Sequence, residues 1–127
     1  MTGEGRFADF EGFWPFYVSQ HSRVWTRRLH FAGTAGAMAI LAAAGLLRRP
    51  ALAAVAPLVA YGLAWFAHFA IENNRPATFL HPWWSLRGDF RMFSLMLRRQ
   101  MNAEAARLLR APAPRGPASP SLPSEAR

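Results

Sequence analysis

The sequence predicts an all-α protein: a small membrane helical bundle built around a central transmembrane hairpin. Two observations support this fold class. The chain has 127 residues with 15 Arg, no Lys and 7 acidic residues, yet between residues 29 and 71 the only formal charges are Arg48 and Arg49. On both sides of this stretch, aromatic and apolar residues recur at helical spacing.

Two uncharged stretches form the predicted hairpin. As helices rising ~1.5 Å per residue, residues 29–47 and 50–71 reach about 28 and 33 Å, close to the ~30 Å core of a bilayer. A tight turn at Arg48 and Arg49 joins them, and Pro57 is expected to kink the second span. The alternative is a pair of buried core helices, but so short a chain has little with which to cover them. Small residues favour close packing in lipid: Gly36, Ala39, Ala43, Ala53, Ala60, Ala64 and Ala67.

Aromatic or amphipathic helices are predicted on either side of the hairpin, at residues 8–20 and 83–109. The first carries an aromatic set at helical spacing: Phe10, Phe13, Trp14 and Tyr17. The second has an apolar face, formed by Leu86, Phe90, Phe93 and Leu97, opposite a face formed by Arg87, Arg91, Ser94 and Arg98. Trp83 and Trp84 at its start are typical of a membrane interface. The helix either lies in the membrane plane or packs against the bundle.

The domain organisation follows from composition. Residues 7–110 are predicted to form a single membrane helical domain. Residues 1–6 and the Pro-rich residues 111–127 are predicted to be disordered. A bundle this thin is compatible with a homodimer.

The Arg residues that flank the hairpin predict its orientation. They form an N-terminal and a C-terminal set: Arg6, Arg23, Arg27 and Arg28, then Arg75, Arg87, Arg91, Arg98 and Arg99. The positive-inside rule places both termini in the cytoplasm, although the two Arg in the turn oppose it locally. Topology and anionic lipid head groups account for the basic charge, so no nucleic acid partner is expected.

Four histidines are the main candidates for a functional site: His21, His30, His68 and His81. His30 lies 19 residues before Arg49 and His68 lies 19 residues after it, so an antiparallel hairpin brings them to the same depth. His21 precedes the first span and His81 follows the second, at the same end of the bundle. Imidazole binds iron, zinc or copper, and the chain has no Cys to compete. All four can converge there, and the pattern predicts a mononuclear metal site at this end of the bundle.

Two carboxylates are candidates to assist this site. Glu72 lies one helical turn after His68, where it either completes a histidine-plus-carboxylate ligand set or orients a ligand histidine. Asp89 is a second candidate for the orienting role, with an ion pair to Arg91 or Arg75 as the alternative. The competing function is a non-catalytic membrane scaffold or lipid-binding protein whose histidines pack or hold a structural metal.

Several motifs together resemble one small membrane family. The most distinctive is the run from Glu72 to Phe93, ENNRPATFLHPWWSLRGDFRMF. FYVSQH at residues 16–21, RLHFAGT at residues 28–34 and the second span at residues 61–69 also match. The family includes the fungal endoplasmic-reticulum 2-hydroxy fatty acid dioxygenase and many bacterial relatives, and the resemblance covers roughly residues 7–100.

This resemblance implies an Fe(II)-dependent dioxygenase that uses O2 to shorten 2-hydroxy fatty acids by one carbon. It implies that the four histidines bind the iron. Arg75, or Arg91, is then a candidate to pair with the substrate carboxylate, with capping of the second span as the alternative for Arg75. An integral protein of a bacterial inner membrane is expected.

Overall fold

The computed structural model describes residues 7–110, and within this range every regular element is helical. The predicted tails at residues 1–6 and 111–127 lie outside the described residues. The elements are α1 (Phe10–Ser19), α2 (Val24–Leu46), a 3₁₀ helix (Pro50–Ala54), α3 (Val55–Phe66), a π-helix (Ala67–Glu72), a 3₁₀ turn (Ala77–Phe79), α4 (Pro82–Leu97) and α5 (Met101–Arg110). The all-helical prediction is confirmed.

The hairpin consists of α2 and the continuous helical segment Pro50–Glu72. Both are long and apolar enough to cross a membrane, and only 17% of the most apolar part of each is buried. Core helices of a soluble protein are mostly buried, whereas most of the apolar surface of these two helices faces outward. α2 begins at Val24, earlier than the uncharged stretch predicts. Its first turns include Arg27 and Arg28, which lie before that stretch.

The two helices approach closely at Gly33. A Cβ there would come within 3.1 Å of the Ala60 carbonyl oxygen, so the absence of a side chain allows the backbones to meet. The turn closes with Arg48 in the left-handed region, at a φ of 53°. Pro57 lies in the first turn of α3. Backbone N–H groups in the first turn have no partner within the helix, so the N–H that proline lacks costs α3 no hydrogen bond.

The hydrophobic core lies beside the hairpin rather than within it. α1 packs against α4 and α5 through a cluster of buried side chains: Phe10, Phe13, Trp14, Tyr17, Val18, Ala77, Met92, Met101 and Ala105. The Trp14 indole N–H also donates to Glu104 on α5 at 3.0 Å. The aromatic face predicted for α1 is therefore the centre of this core. Asp9 caps α1 by accepting from the Gly12 N–H at 2.8 Å.

The helix predicted at residues 83–109 is two helices. α4 ends where Arg99 adopts a left-handed φ of 57°, and the Gln100 N–H then bonds the Leu95 carbonyl at 2.8 Å. This Schellman motif stops the helix without a glycine. The buried residues of α4 are Ser85, Gly88 and Met92. Most of the predicted face is exposed instead: Leu86, Phe90 and Leu97.

Candidate metal site and cavity

Three of the four histidines meet where the hairpin joins the aromatic core. His21 comes from the loop after α1, His30 from α2 and His68 from the π-helix, and each is at most 5% exposed. Their ring centroids are 4.4 to 5.0 Å apart. One ligand nitrogen from each lies within 4.8 Å of the others. We call this group the histidine cluster. The predicted register of His30 and His68 across the hairpin is thus observed.

Each ring in the cluster is held by an oxygen at its Nδ1 atom. The His21 Nδ1 contacts the Tyr17 carbonyl at 2.7 Å, and the His30 Nδ1 contacts the Thr26 carbonyl at 2.9 Å. The His68 Nδ1 contacts the Asn74 side-chain oxygen at 2.7 Å. Because a carbonyl oxygen can only accept, each Nδ1 carries the proton, which leaves each Nε2 with a free lone pair. Histidines that bind metals are oriented in the same way.

The donor set fits a divalent transition metal. The Nε2 atoms of His21 and His30 are 3.0 Å apart, and two lone pairs this close repel unless a proton or a cation lies between them. Two nitrogens bound at right angles to one metal, each at about 2.1 Å, would also be separated by about 3.0 Å. Burial, followed by the charges of His30 and His68, holds the pKa of His21 well below its ordinary value. Its neutral form is the one that binds a metal.

The π-helix shapes the His68 side of the cluster. It ends at Asn73, whose φ of 55° is left-handed and which is one of the residue types that best tolerate this conformation. Asn74 then turns back: its N–H donates to the His68 carbonyl at 3.0 Å while its side-chain oxygen holds the ring. The Asn74 side-chain amide also donates to the Gln20 carbonyl at 3.1 Å, beside His21. One asparagine therefore ties two ligand-bearing segments together.

His81 is not part of the histidine cluster. It is the N-cap residue of α4, and its ring packs among Phe7, Phe13 and Trp84 with centroids 5.3 to 5.6 Å apart. The position of His81 in the sequence correctly predicted the end of the bundle at which it lies. The short 3₁₀ turn and the start of α4 carry it into the aromatic core instead.

The two predicted carboxylates have different surroundings. Glu72 accepts from the Ser22 hydroxyl at 2.7 Å and from the Arg23 N–H at 2.6 Å, so it caps the start of α2 and lies outside the cluster. Asp89 accepts from the Tyr17 hydroxyl at 2.5 Å. Burial raises the pKa of Asp89 from 3.8 to about 6, although the Tyr17 hydrogen bond acts in the opposite direction.

Neither predicted arginine reaches the site. Arg75 is exposed. Arg91 pairs with Glu11 at 2.8 Å and lies over the Trp14 ring at 4.5 Å, on the outer side of α4. A different arginine supports the cluster. Arg27 is 4% exposed and donates to the carbonyls of His21 and Ser22, both at 2.8 Å, and to Asn102 at 3.2 Å.

A mostly apolar cavity of about 240 Å³ opens beside the cluster. It begins at the histidines and Asp89 and runs between α2 and α3 to Leu41 and Pro57. α4 contributes one wall near the histidines. The residues that form its length are Thr34, Ala37, Met38, Leu41, Ala56, Pro57, Ala60, Tyr61, Ala64 and Trp65. Across residues 7–110 no Arg side chain lines it.

Sequence reasoning missed three contributors: Tyr17, Asn74 and Ser85. Tyr17 has its hydroxyl on Asp89, its carbonyl on His21 and its ring stacked on the His21 ring at 4.1 Å. Its spacing of four residues from His21 was the available signal, but the aromatic pattern explained Tyr17 as packing. Asn74 lies six residues after His68, and a side-chain amide is a less usual partner for a ligand histidine than a carboxylate. Ser85 carries no motif.

Fold and site together define a class: a small helical protein with two candidate membrane spans and a buried three-histidine cluster that could hold a metal ion at the head of an apolar cavity. The chain belongs to the Mpo1-like family, whose model, described as 2-hydroxy-palmitic acid dioxygenase Mpo1-like, matches residues 7–101. Neither the curated proteins nor the solved structures compared with this chain gave a match.

Proposed function

We propose that this protein is a membrane-embedded, mononuclear Fe(II) dioxygenase that shortens 2-hydroxy fatty acids by one carbon. The observation that carries the proposal is the histidine cluster, whose three ligand nitrogens lie within 4.8 Å of one another beside an apolar cavity. The family description supports the substrate class. One hydroxy acid and one O2 give the shortened acid, CO2 and water. This balance needs no other oxidant or reductant.

His21, His30 and His68 are the proposed iron ligands. Three neutral imidazoles without a thiolate suit a borderline metal such as Fe(II), and three protein ligands leave coordination positions open. Bound there, iron supplies a Lewis acid for the substrate oxygens and a centre for O2 chemistry. The protein's contribution is to fix the three rings through Tyr17 and Asn74 and through the Thr26 carbonyl.

The cavity fits a long-chain acid better than a small polar substrate. From His30 to Leu41 it follows α2 for a length of about 16 Å at ~1.5 Å per residue. Its walls are apolar over that length, which suits an alkyl chain. Because Arg side chains are absent from its lining among residues 7–110, the substrate carboxylate needs the metal as its main counter-charge. In the proposed site the metal therefore takes the place of the arginine contact that was expected from Arg75 or Arg91.

Asp89 is the proposed proton acceptor for the 2-hydroxyl group. Its carboxyl lines the cavity, and its pKa of about 6 lets it be mainly ionised at neutral pH while still binding a proton readily. The Tyr17 hydroxyl holds the carboxylate in place. Glu72, by contrast, is proposed to act through the fold, because it fixes the start of α2, the helix that carries His30.

The membrane is the proposed source of the substrate. The exposed apolar surfaces of both spans would lie in lipid, with the histidine cluster near one face of the bilayer. Flanking arginines favour the cytoplasmic side for that face and for both termini. For a bacterial protein this is the inner membrane.

The test uses detergent-purified full-length protein prepared without oxygen. We expect one iron per chain, oxygen uptake on adding 2-hydroxypalmitate, and release of pentadecanoate and CO2. Palmitate, which lacks the 2-hydroxyl, should give no uptake. His30→Ala and His68→Ala should lose both iron and activity, while His81→Ala should keep stoichiometric iron. Wild-type protein that binds no iron, or iron-loaded protein inert toward every 2-hydroxy acid, would favour the alternative of a lipid-binding scaffold.

A further inference from the structure

A buried hydroxyl without a hydrogen-bond partner lies in the cavity wall. Ser85 is 2% exposed, and its Oγ atom has no partner within residues 7–110. Its backbone N–H is already bonded to the His81 carbonyl at 2.9 Å. Leaving a hydroxyl unpaired in a buried place costs free energy, so such a group often marks a position that a ligand completes.

The position of Ser85 indicates which ligand group would complete it. It lines the same cavity as the histidine cluster. Asp89 follows it by one turn of α4, so the two side chains share a face of the helix. The second buried hydroxyl without a partner, on Thr26, does not line the cavity. Only Ser85 of these two can meet a molecule that enters along the hairpin.

Several polar groups at the histidine end of the cavity have already used their protons. The Tyr17 hydroxyl donates to Asp89, and the Nδ1 protons of the histidine cluster are on fixed oxygens. A carboxylate that binds a metal through one oxygen still needs a hydrogen-bond donor for its second oxygen. The surroundings here offer few such donors. The cavity lining also includes hydroxyls on three half-buried residues, Thr34, Tyr61 and Thr78. Among the fully buried lining residues within 7–110, Ser85 is the one whose hydroxyl is left unpaired.

We infer that the Ser85 hydroxyl donates a hydrogen bond to the carboxylate of a long-chain acid bound in the cavity, and so fixes the acid's head group beside the histidine cluster. This inference rests on the proposed function for the identity of the acid. It assigns Ser85 to binding, and gives it no part in bond making or breaking.

The experiment compares Ser85→Ala with Ser94→Ala, the same change on the same helix away from the cavity. In Ser85→Ala, KM for 2-hydroxypalmitate should rise about tenfold while kcat stays within about twofold, as expected for one lost hydrogen bond. Palmitate shares the carboxylate but lacks the 2-hydroxyl, so its binding, measured by calorimetry, should weaken by the same factor. The Tm should stay level or rise, because an unpaired buried hydroxyl has been removed. Ser94→Ala should match wild type in KM and palmitate affinity.

Three outcomes would count against the inference. Unchanged KM and palmitate affinity with a lower Tm would make Ser85 structural. An equal loss of palmitate affinity in Ser85→Ala and Ser94→Ala would show that the effect does not depend on the cavity. Wild-type protein that binds no palmitate at all would overturn it together with the proposed substrate. If instead wild-type protein binds palmitate, Ser85→Ala weakens that binding and no hydroxy acid is oxidised, the inference holds and the proposed function fails.

Discussion

Replacing Asp89 with asparagine should stabilise the metal-free protein at neutral pH while reducing its activity once iron is bound. Burial raises the pKa of Asp89 from 3.8 to about 6. The folded protein therefore holds this proton more tightly than the unfolded chain does. The stabilising contribution is fully present below about pH 4 and is lost as the pH rises to about 6. The asparagine side chain does not titrate, and its amide oxygen can still accept from the Tyr17 hydroxyl.

The size of the effect follows from the two pKa values. The difference between 3.8 and about 6 corresponds to about 3 kcal/mol in the free energy of unfolding. For a domain of this size that is a Tm gain of roughly 10 °C for Asp89→Asn above neutral pH. Near pH 4 the Tm difference should shrink to a small remainder, because the Asp89 carboxyl is then neutral in the folded protein and partly protonated in the unfolded chain.

The assay is a thermal melt in detergent with chelator present, followed by circular dichroism from pH 4 to 8. Other titrating groups occur in both proteins, so their contributions cancel in the difference. Tyr17→Phe is a control that should change the Tm in the opposite direction. It removes the hydrogen bond that favours the charged carboxylate, so it should lower the Tm at neutral pH. Two results would refute the reasoning. Asp89→Asn and wild type could have the same Tm at pH 7.5, or their Tm difference could be equal at pH 4 and pH 7.5.

Three further substitutions test the supporting structure. Gly88→Ala places a Cβ 2.8 Å from the Tyr17 ring, so it should cost about 1–3 kcal/mol in a melt, whereas Gly62→Ala, with open space around it, should not destabilise. Asn74→Ala should lower metal affinity about 10–100-fold in a competition titration, since the cluster loses its side-chain anchor, and unchanged affinity would argue against that role. Ala56→Leu narrows the far end of the cavity, so KM should rise for 2-hydroxypalmitate but not for a much shorter 2-hydroxy acid. Equal effects on both acids would contradict the proposed chain path.

The sequence was informative where one physical constraint dominated. A charge-free stretch interrupted only by Arg48 and Arg49 leaves few options besides a hairpin, and the turn then fixes the register of His30 and His68. Helical periodicity likewise identified the aromatic face of α1. Each of these inferences uses a pattern that extends over many residues, so a local irregularity does not change it.

Other parts of the site depend on local backbone geometry that no periodic pattern reports. The αL residue at Arg99 splits the last helix, and arginine is not a residue type that signals such a stop. His81 lies on the correct end of the bundle, but a 3₁₀ turn directs it away from the cluster. Periodicity identified an apolar face on α4 but did not show which side packs against the protein, because large apolar side chains at Leu86 and Phe90 are exposed while Ser85 and Gly88 are buried.

The π-helix at Ala67–Glu72 has a consequence for how such a site can originate. A π-helix fits an additional residue into a turn, and along an α-helix each residue gained or lost rotates everything beyond it by about 100°. One inserted codon is therefore enough to convert the end of a plain helical hairpin into the wide turn that joins His68 to Asn74. Homologues one residue shorter at this place should keep the hairpin and lose the contact between Asn74 and the His68 ring, which makes the length of this segment a marker for members that keep this contact.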